Sequence, residues 1–210
     1  MPVEPKQYPV NLILTGHRCL VIGGGDVAAR KVSGLLDCGA EVHVIASRVG
    51  REVRALGVPF EERRYRSGDV AGYRLVITAT DDHAVNRMVF EESEAAGIWI
   101  NSADDIDACS FTLPSVVRRG PIMVTVSTGG YSPALSTWLK ARLERELGPE
   151  YEILVNLLSS ARNELKASGV ATEQADWQSA LDSDMLDLIK AGQIDEARER
   201  LRAWLSSSLG

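Results

Sequence analysis

Residues 18 to 31 read Arg-Cys-Leu-Val-Ile-Gly-Gly-Gly-Asp-Val-Ala-Ala-Arg-Lys. The apolar run Cys19, Leu20, Val21, Ile22 stops at three glycines. Val27, Ala28, Val32, Leu35 and Leu36 then recur at helical spacing. A strand, a tight turn and a helix start are predicted. The spacing Gly23-x-Gly25-x-x-Ala28 is the dinucleotide fingerprint in its Gly/Ala form. Gly23 permits the turn, Gly25 lets backbone approach a pyrophosphate, and Ala28 lets the helix lie close to the strand. The helix start, Gly24 through Ala28 with Asp26 and Val27, offers N–H groups and a positive dipole end to phosphates.

The context outward from this loop is the one the fingerprint requires. Glu41-Val-His-Val-Ile-Ala46 forms a second strand about 20 residues on, completing a βαβ unit. A weaker helix is predicted near residues 49–56, and an edge strand over 58–64, because Pro59 removes a ladder donor. Residues 74–79 form an apolar fourth strand, 83–96 a helix, and 98–101 a fifth strand. The alternation predicts a Rossmann-type α/β fold with a parallel sheet. It stops after Asn101. Two β-prone runs, 111–117 and 122–127, flank Arg118-Arg119-Gly120-Pro121 as a hairpin. Ser132 and Pro133 then open a helix whose stripe is Leu135, Trp138, Leu139, Leu143 and Leu147. The remainder is a helical region. The expected organisation is 1–112 as the nucleotide-binding domain, 113–148 as a hairpin–helix region and 149–210 as C-terminal helices.

Composition bounds the partners. The 210 residues are 45% hydrophobic and 25% charged, ordinary for a soluble protein. No apolar run approaches the ~20 residues needed to span a bilayer, and residues 1–6 carry no apolar signal region, so a cytoplasmic protein without a membrane partner is expected. Three widely spaced cysteines and three histidines form neither a disulfide framework nor a metal-ligand pattern, so no metal site is expected. A net charge of −6 argues against nucleic acid. Residues 108–143, however, contain no acid but hold Arg118, Arg119, Lys140 and Arg142. Either an anionic ligand or acids from elsewhere in the fold would answer that charge.

Ligands of such sheets bind beyond the carboxyl ends of the strands. Polar content gathers there in Ser47, in Thr80, Asp81, Asp82 and Asn86, and in Asn101 through Asp105. Asp82 can cap the helix that follows it. Asp104 has no helix to cap, because a strand-prone run follows, and it is the candidate general base or acid. Neighbouring Asp105 and Asp107 would raise its proton affinity. Ser127-Thr-Gly-Gly-Tyr-Ser132 combines glycines, hydroxyls and a helix start suited to a carboxylate, and nominates Ser127, Thr128, Gly129 and Gly130.

Together these segments resemble the precorrin-2 dehydrogenase family of siroheme synthesis, including the module fused in some bacteria to a methyltransferase. The resemblance rests on Tyr8-Pro-Val-Asn-Leu, on Cys19 to Lys31, on Ala79-Thr-Asp-Asp82 with Val85-Asn86, on Asn101 to Asp104, on Ser110-Phe111 with Pro114-Ser115, and on Val126-Ser-Thr-Gly-Gly with Ser132-Pro133. It implies NAD-dependent oxidation of precorrin-2 to sirohydrochlorin, with ferrous iron insertion in some members, and a homodimer exchanging the hairpin and following helix. The family's essential aspartate falls on Asp104, and its phosphorylatable serine on Thr128. An octacarboxylate substrate suits Asn101, Arg118, Arg119 and the 127–130 loop as substrate contacts. No methyltransferase segment follows, so the stand-alone form is expected. No acid stands at Ser47-Arg48 to hold a ribose, which leaves NADP open beside NAD. The other readings are a nucleotide-sensing module, which would bind NAD without turnover, and a chelatase without dehydrogenase activity.

Overall fold

The computed structural model describes residues 7–207. Five segments, Arg18–Ile22 (β1), Glu41–Ala46 (β2), Phe60–Glu62 (β3), Leu75–Thr78 (β4) and Trp99–Ser102 (β5), form an all-parallel sheet in the order β3-β2-β1-β4-β5. The helices Asp26–Leu36 (α1), Arg51–Ala55 (α2) and His83–Ala95 (α3) alternate with these strands. Side chains alternate across β1. Cys19 and Val21 join Ala28, Val32, Val44 and Val53 in the cluster under α1 and α2. Leu20 and Ile22 join Ile45, Val76, Val89 and Ile100 in the cluster under α3. Both faces are covered, which is why the central strands read as continuous apolar runs. Burial first, and Cys38 second, push the Cys19 thiol up to about 11, so it remains an inert thiol at neutral pH.

The strand order reverses between β1 and β4, which are direct neighbours yet lead into helices on opposite faces. That divergence opens the crevice of a doubly wound sheet. β3 lies at the edge, as Pro59 implies, and is only three residues long.

The loop after β3 is closed by Arg63, whose Nη1 and Nη2 donate to the two Asp69 carboxylate oxygens at 2.6 and 2.9 Å. This fork holds the Asp69 carboxyl below its ordinary value, despite the opposing effect of burial. A carboxyl with a lowered folded value stabilises above its unfolded pKa of about 4 and loses that contribution as pH falls through the lowered value. The urea midpoint is therefore expected to fall below pH 4, with a shallower decline in Arg63→Ala.

The contact pattern places a unit boundary between Leu113 and Pro114. The second unit begins with the antiparallel hairpin Ser115–Arg119 (β6) and Ile122–Val126 (β7), in register Arg119 to Ile122. The first hairpin strand starts four residues later than the sequence suggests. Residues 109–111 are instead tied to β5: the Ser110 N–H donates to the Ile100 carbonyl at 2.9 Å, and Asn101 Nδ2 to the Phe111 carbonyl at 3.0 Å. The helices Pro133–Glu146 (α4), Glu150–Ala167 (α5), Trp177–Leu181 (α6), Met185–Lys190 (α7) and Ile194–Ser207 (α8) follow. Leu154, Leu157, Ala161, Met185, Leu188, Ala197 and Leu201 form the core of the C-terminal helices. Ser132 caps α4 by accepting from the Leu135 N–H at 3.1 Å, with Pro133 at its first position, as predicted. The α4 stripe is another matter: Leu135 and Trp138 are 47% and 55% exposed, and Ser136 is the one buried residue of that helix. No helix among the described residues is long and apolar enough to cross a membrane.

Candidate cofactor and catalytic site

The three glycines at the end of β1 have distinct surroundings. Gly23 adopts φ +133°, and a Cβ there would overlap the Ala79 carbonyl at the end of β4. A Cβ on Gly24 would overlap the Arg48 carbonyl beyond β2, and the Gly24 carbonyl accepts from the Gly50 N–H at 2.8 Å. Around Gly25 a Cβ would meet nothing within 4 Å. Gly23 and Gly24 are thus closed by the protein's own backbone, and Gly25 is open to a ligand. Gly25 is also the N-cap of α1, and no side chain caps that end. The first-turn N–H groups of Asp26, Val27 and Ala28 are what a pyrophosphate requires. Asp26 suits this role through its backbone, since its carboxylate carries the sign of a phosphate. Ala28 is fully buried, which is how α1 comes close to the sheet. Ser47 is exposed beyond β2 beside exposed Arg48. These residues fit a dinucleotide.

The second group is built at the ends of β4 and β5. Asp82 is the N-cap of α3 and accepts from the Ala84 and Val85 N–H groups at 3.1 and 3.2 Å. Its Oδ1 is occupied by the helix, so what it supplies at this end of the strands is the turn it forms. Asp82→Ala is expected to cost about 1 kcal/mol, read as a lower urea midpoint. Thr80 Oγ1 accepts from the Asp82 N–H at 2.9 Å, and buried Asn86 donates from Nδ2 to the Thr80 carbonyl at 2.9 Å. The same Nδ2 reaches Asp104 Oδ1 at 3.4 Å, while Ser102 Oγ donates to that oxygen at 3.1 Å. Thr80, Asn86, Ser102 and Asp104 are thus one hydrogen-bonded cluster, joined because Thr78 and Ser102 are register partners. Asp104 Oδ2 is outside the cluster, 3.8 Å from His83 Nδ1, and the Asp104 side chain is 43% exposed.

Two expectations change here. A single 3-10 turn, Ile106–Ala108, follows Asp104, and Asp105 caps it by accepting from the Asp107 N–H at 3.0 Å. The Asp105 carboxylate is spent on that turn. Asn101 is buried, and its amide holds the Phe111 carbonyl, so it serves the packing of β5 rather than presenting its Nδ2 to a substrate. The sequence reading also passed over Cys109. Its Sγ accepts from the Ser102 N–H at 3.1 Å and lies 3.2 Å from the Asp105 carbonyl, tying both ends of the turn that carries Asp104. His83 is likewise given no role by the sequence, and Ser102 is named only within the polar run 101–105. Their signal was position, one residue past a helix cap and at the last residue of a strand.

In the second unit, Arg119 is committed to the fold. Its Nε donates to the Leu147 carbonyl at 2.6 Å and its Nη2 to the Glu144 carbonyl at 2.9 Å. It therefore caps the C-terminus of α4, and its assignment to substrate is corrected on that ground. Arg119→Ala is expected to cost about 1–3 kcal/mol, measured by chemical denaturation, with Arg119→Lys recovering only part. Arg118 is exposed. Thr128 Oγ1 accepts from the Ser132 N–H at 3.1 Å and lies 3.2 Å from Ser136 Oγ. Its hydroxyl shapes the loop. Gly129 and Gly130 take φ of +59° and +84°, the left-handed conformation that turns the chain into α4. The Gly129 N–H donates to Ser127 Oγ at 3.2 Å.

A family model described as "Putative NAD(P)-binding" matches residues 10–115, the segment that carries the glycine loop and Asp104. The chain belongs to that NAD(P)-binding family. It is 36% identical over 206 residues to the siroheme synthase of Nitrosococcus oceani, covering 95% of this chain and 44% of that protein. It is 37% identical over 199 residues to the siroheme synthase of Chromobacterium violaceum, covering 92% and 42%. The chain therefore spans less than half the length of the curated relatives it matches. Among solved structures, it is similar to SirC, a precorrin-2 dehydrogenase, with a TM-score of 0.71, 25% identity, and 96% and 98% of the two chains covered. The α/β fold with its C-terminal helices is that of this structure.

Proposed function

We propose that this NAD(P)-binding chain oxidises precorrin-2 to sirohydrochlorin in siroheme synthesis, with NAD as the hydride acceptor and Asp104 as the acid–base group. The observation that carries the reading is the Asp104 carboxylate: one oxygen is fixed by Ser102 and Asn86, and the other is left available. Similarity to the siroheme synthases and to SirC over nearly the whole chain supports the substrate.

The open backbone at Gly25, the first turn of α1, exposed Ser47 and the Thr80–Asn86 turn would hold the dinucleotide. NAD, when bound, supplies the hydride acceptor. The residues of the chain do the rest. Asp104 takes the proton that leaves the macrocycle as the new double bond forms. Ser102 and Asn86 hold its carboxylate in one orientation, so that little reorganisation accompanies the transfer. Within the second unit, Arg118, Ser127 and the Gly129–Gly130 backbone have the chemistry to bind carboxylates, and we propose them for that class of group. We further propose a homodimer, supported by exposed Leu135 and Trp138 on α4. Three unpaired cysteines suit the reducing cytoplasm.

The test is an anaerobic incubation of the protein with precorrin-2 and either NAD or NADP, following reduced nicotinamide and the sirohydrochlorin spectrum, then adding ferrous ion. Both products are expected with NAD, and faster than with NADP. Dinucleotide binding without turnover would assign a sensing module. Metal insertion into sirohydrochlorin supplied directly in a parallel incubation, with no oxidation of precorrin-2, would assign a chelatase. Ferrous ion, a substrate in this scheme, reports whether a second reaction follows the first.

A further inference from the structure

The two oxygens of Asp104 face different surroundings. Oδ1 accepts from Ser102 Oγ at 3.1 Å and from Asn86 Nδ2 at 3.4 Å, while Oδ2 lies 3.8 Å from His83 Nδ1. The His83 side chain is 83% exposed, at the first position of α3. We propose that His83 is the proton exit of Asp104, receiving at Nδ1 the proton that Oδ2 takes from the substrate and passing it to solvent. The proposal rests on the dehydrogenase reading above.

A general base that has accepted a proton must lose it before the next turnover. Oδ1 is enclosed by its hydrogen-bond donors, so the outlet is Oδ2. A separation of 3.8 Å is longer than a hydrogen bond and is closed by a small side-chain rotation of an exposed imidazole. Such an exposed pair contributes little to stability, so the pairing has little value as a fastening. Imidazole is the side chain suited to accept and release a proton near neutral pH. The charged groups beside His83 on this turn and helix are otherwise engaged or face solvent. Asp82 is occupied with the α3 N–H groups, Arg87 pairs with Glu91 at 2.8 Å, and Asp81 is exposed to solvent. Of the other histidines, His43 is engaged with the Tyr73 hydroxyl at 2.6 Å, and His17 precedes β1, before the opposite end of the strands.

The proton balance is simple. A bond to hydrogen in the macrocycle breaks, and its electron pair stays to form the new double bond. The proton forms O–H at Asp104. That O–H then breaks as N–H forms at His83, and the imidazolium yields the proton to buffer. No further reactant is needed, because the hydride goes to the nicotinamide.

His83→Gln keeps the approximate size and polarity of the side chain and removes the imidazole nitrogen that would carry the proton. The variant is expected to lose about tenfold in kcat, with KM for precorrin-2 and the calorimetric affinity for NAD within twofold of the parent protein. Added imidazole is expected to restore the variant's rate and leave the parent rate unchanged, a rescue that a merely structural role would not show. An unchanged kcat, a loss that imidazole does not restore, or a weakened NAD affinity would overturn the relay. If the parent protein forms no NADH at all, the dehydrogenase reading fails. If the parent is active and His83→Gln matches it, the relay alone fails.

Discussion

Asp104→Ala is expected to lower kcat for precorrin-2 oxidation by about a thousandfold, the range of a positioned acid–base group, while NAD affinity stays within twofold. The separation of effects follows from the contacts. The carboxylate touches Ser102 and Asn86, and none of its hydrogen bonds reaches the glycine loop. Asn86 keeps its bond to the Thr80 carbonyl when Asp104 is removed, so the α3 entry turn survives. Asp104→Asn discriminates further. It preserves shape and one acceptor oxygen but cannot take the proton, so it should fall as far as Asp104→Ala. More than a tenth of the parent rate in Asp104→Asn would remove Asp104 from the chemistry and leave it a loop-shaping residue.

The second large effect separates two adjacent glycines. Gly24→Val would drive a side chain into the Arg48 carbonyl, where backbone rather than a movable side chain stands in the way. A loss of about 3 kcal/mol or more is expected, visible as a lowered thermal midpoint without any ligand. Gly25→Val enters open space. It should cost no more than about 1 kcal/mol, as a poorer N-cap for α1. Its expected defect is in binding: NAD affinity weakened by about a hundredfold, equivalent to roughly 2.7 kcal/mol, because a branched side chain occupies the approach to the helix N–H groups. Equal stability losses in the two variants, or undiminished NAD binding by Gly25→Val, would refute the assignment of the first glycine to protein packing and the second to the ligand.

The sheet was legible because its signal is local. Alternation along Cys19 to Ile22 and helical spacing from Ala28 to Leu35 fix which side chains face which layer, and the structure buries Cys19 to Ile22, Ala28, Val32 and Leu35, while Val27 in the open first turn of α1 is exposed. Asp104 is nominated by the sequence for a different reason, as a carboxylate after a strand with no helix beginning at its own position, and the structure adds its hydrogen bonds from Ser102 and Asn86. Other features depended on partners far along the chain. Arg119 reads as a free cation beside a turn, yet its guanidinium is used by carbonyls 25 and 28 residues on. Charge counting cannot see that. Asn101 reads as the polar end of the fifth strand, but β5 extends one residue further than its hydrophobicity suggests, and that residue, Ser102, carries the donor to Asp104. The stripe on α4 was visible as a stripe, and its exposure was not, because periodicity identifies an apolar face without identifying what covers it.

The central claim is that one dehydrogenation delivers a hydride to NAD and a proton to Asp104. A single-turnover experiment under strict anaerobiosis, with protein in excess over precorrin-2 and saturating NAD, tests it most directly. One NADH per sirohydrochlorin formed, at matching rates, with neither product in Asp104→Asn, is the expected result. Sirohydrochlorin appearing without NADH, or at an undiminished rate in Asp104→Asn, would contradict it.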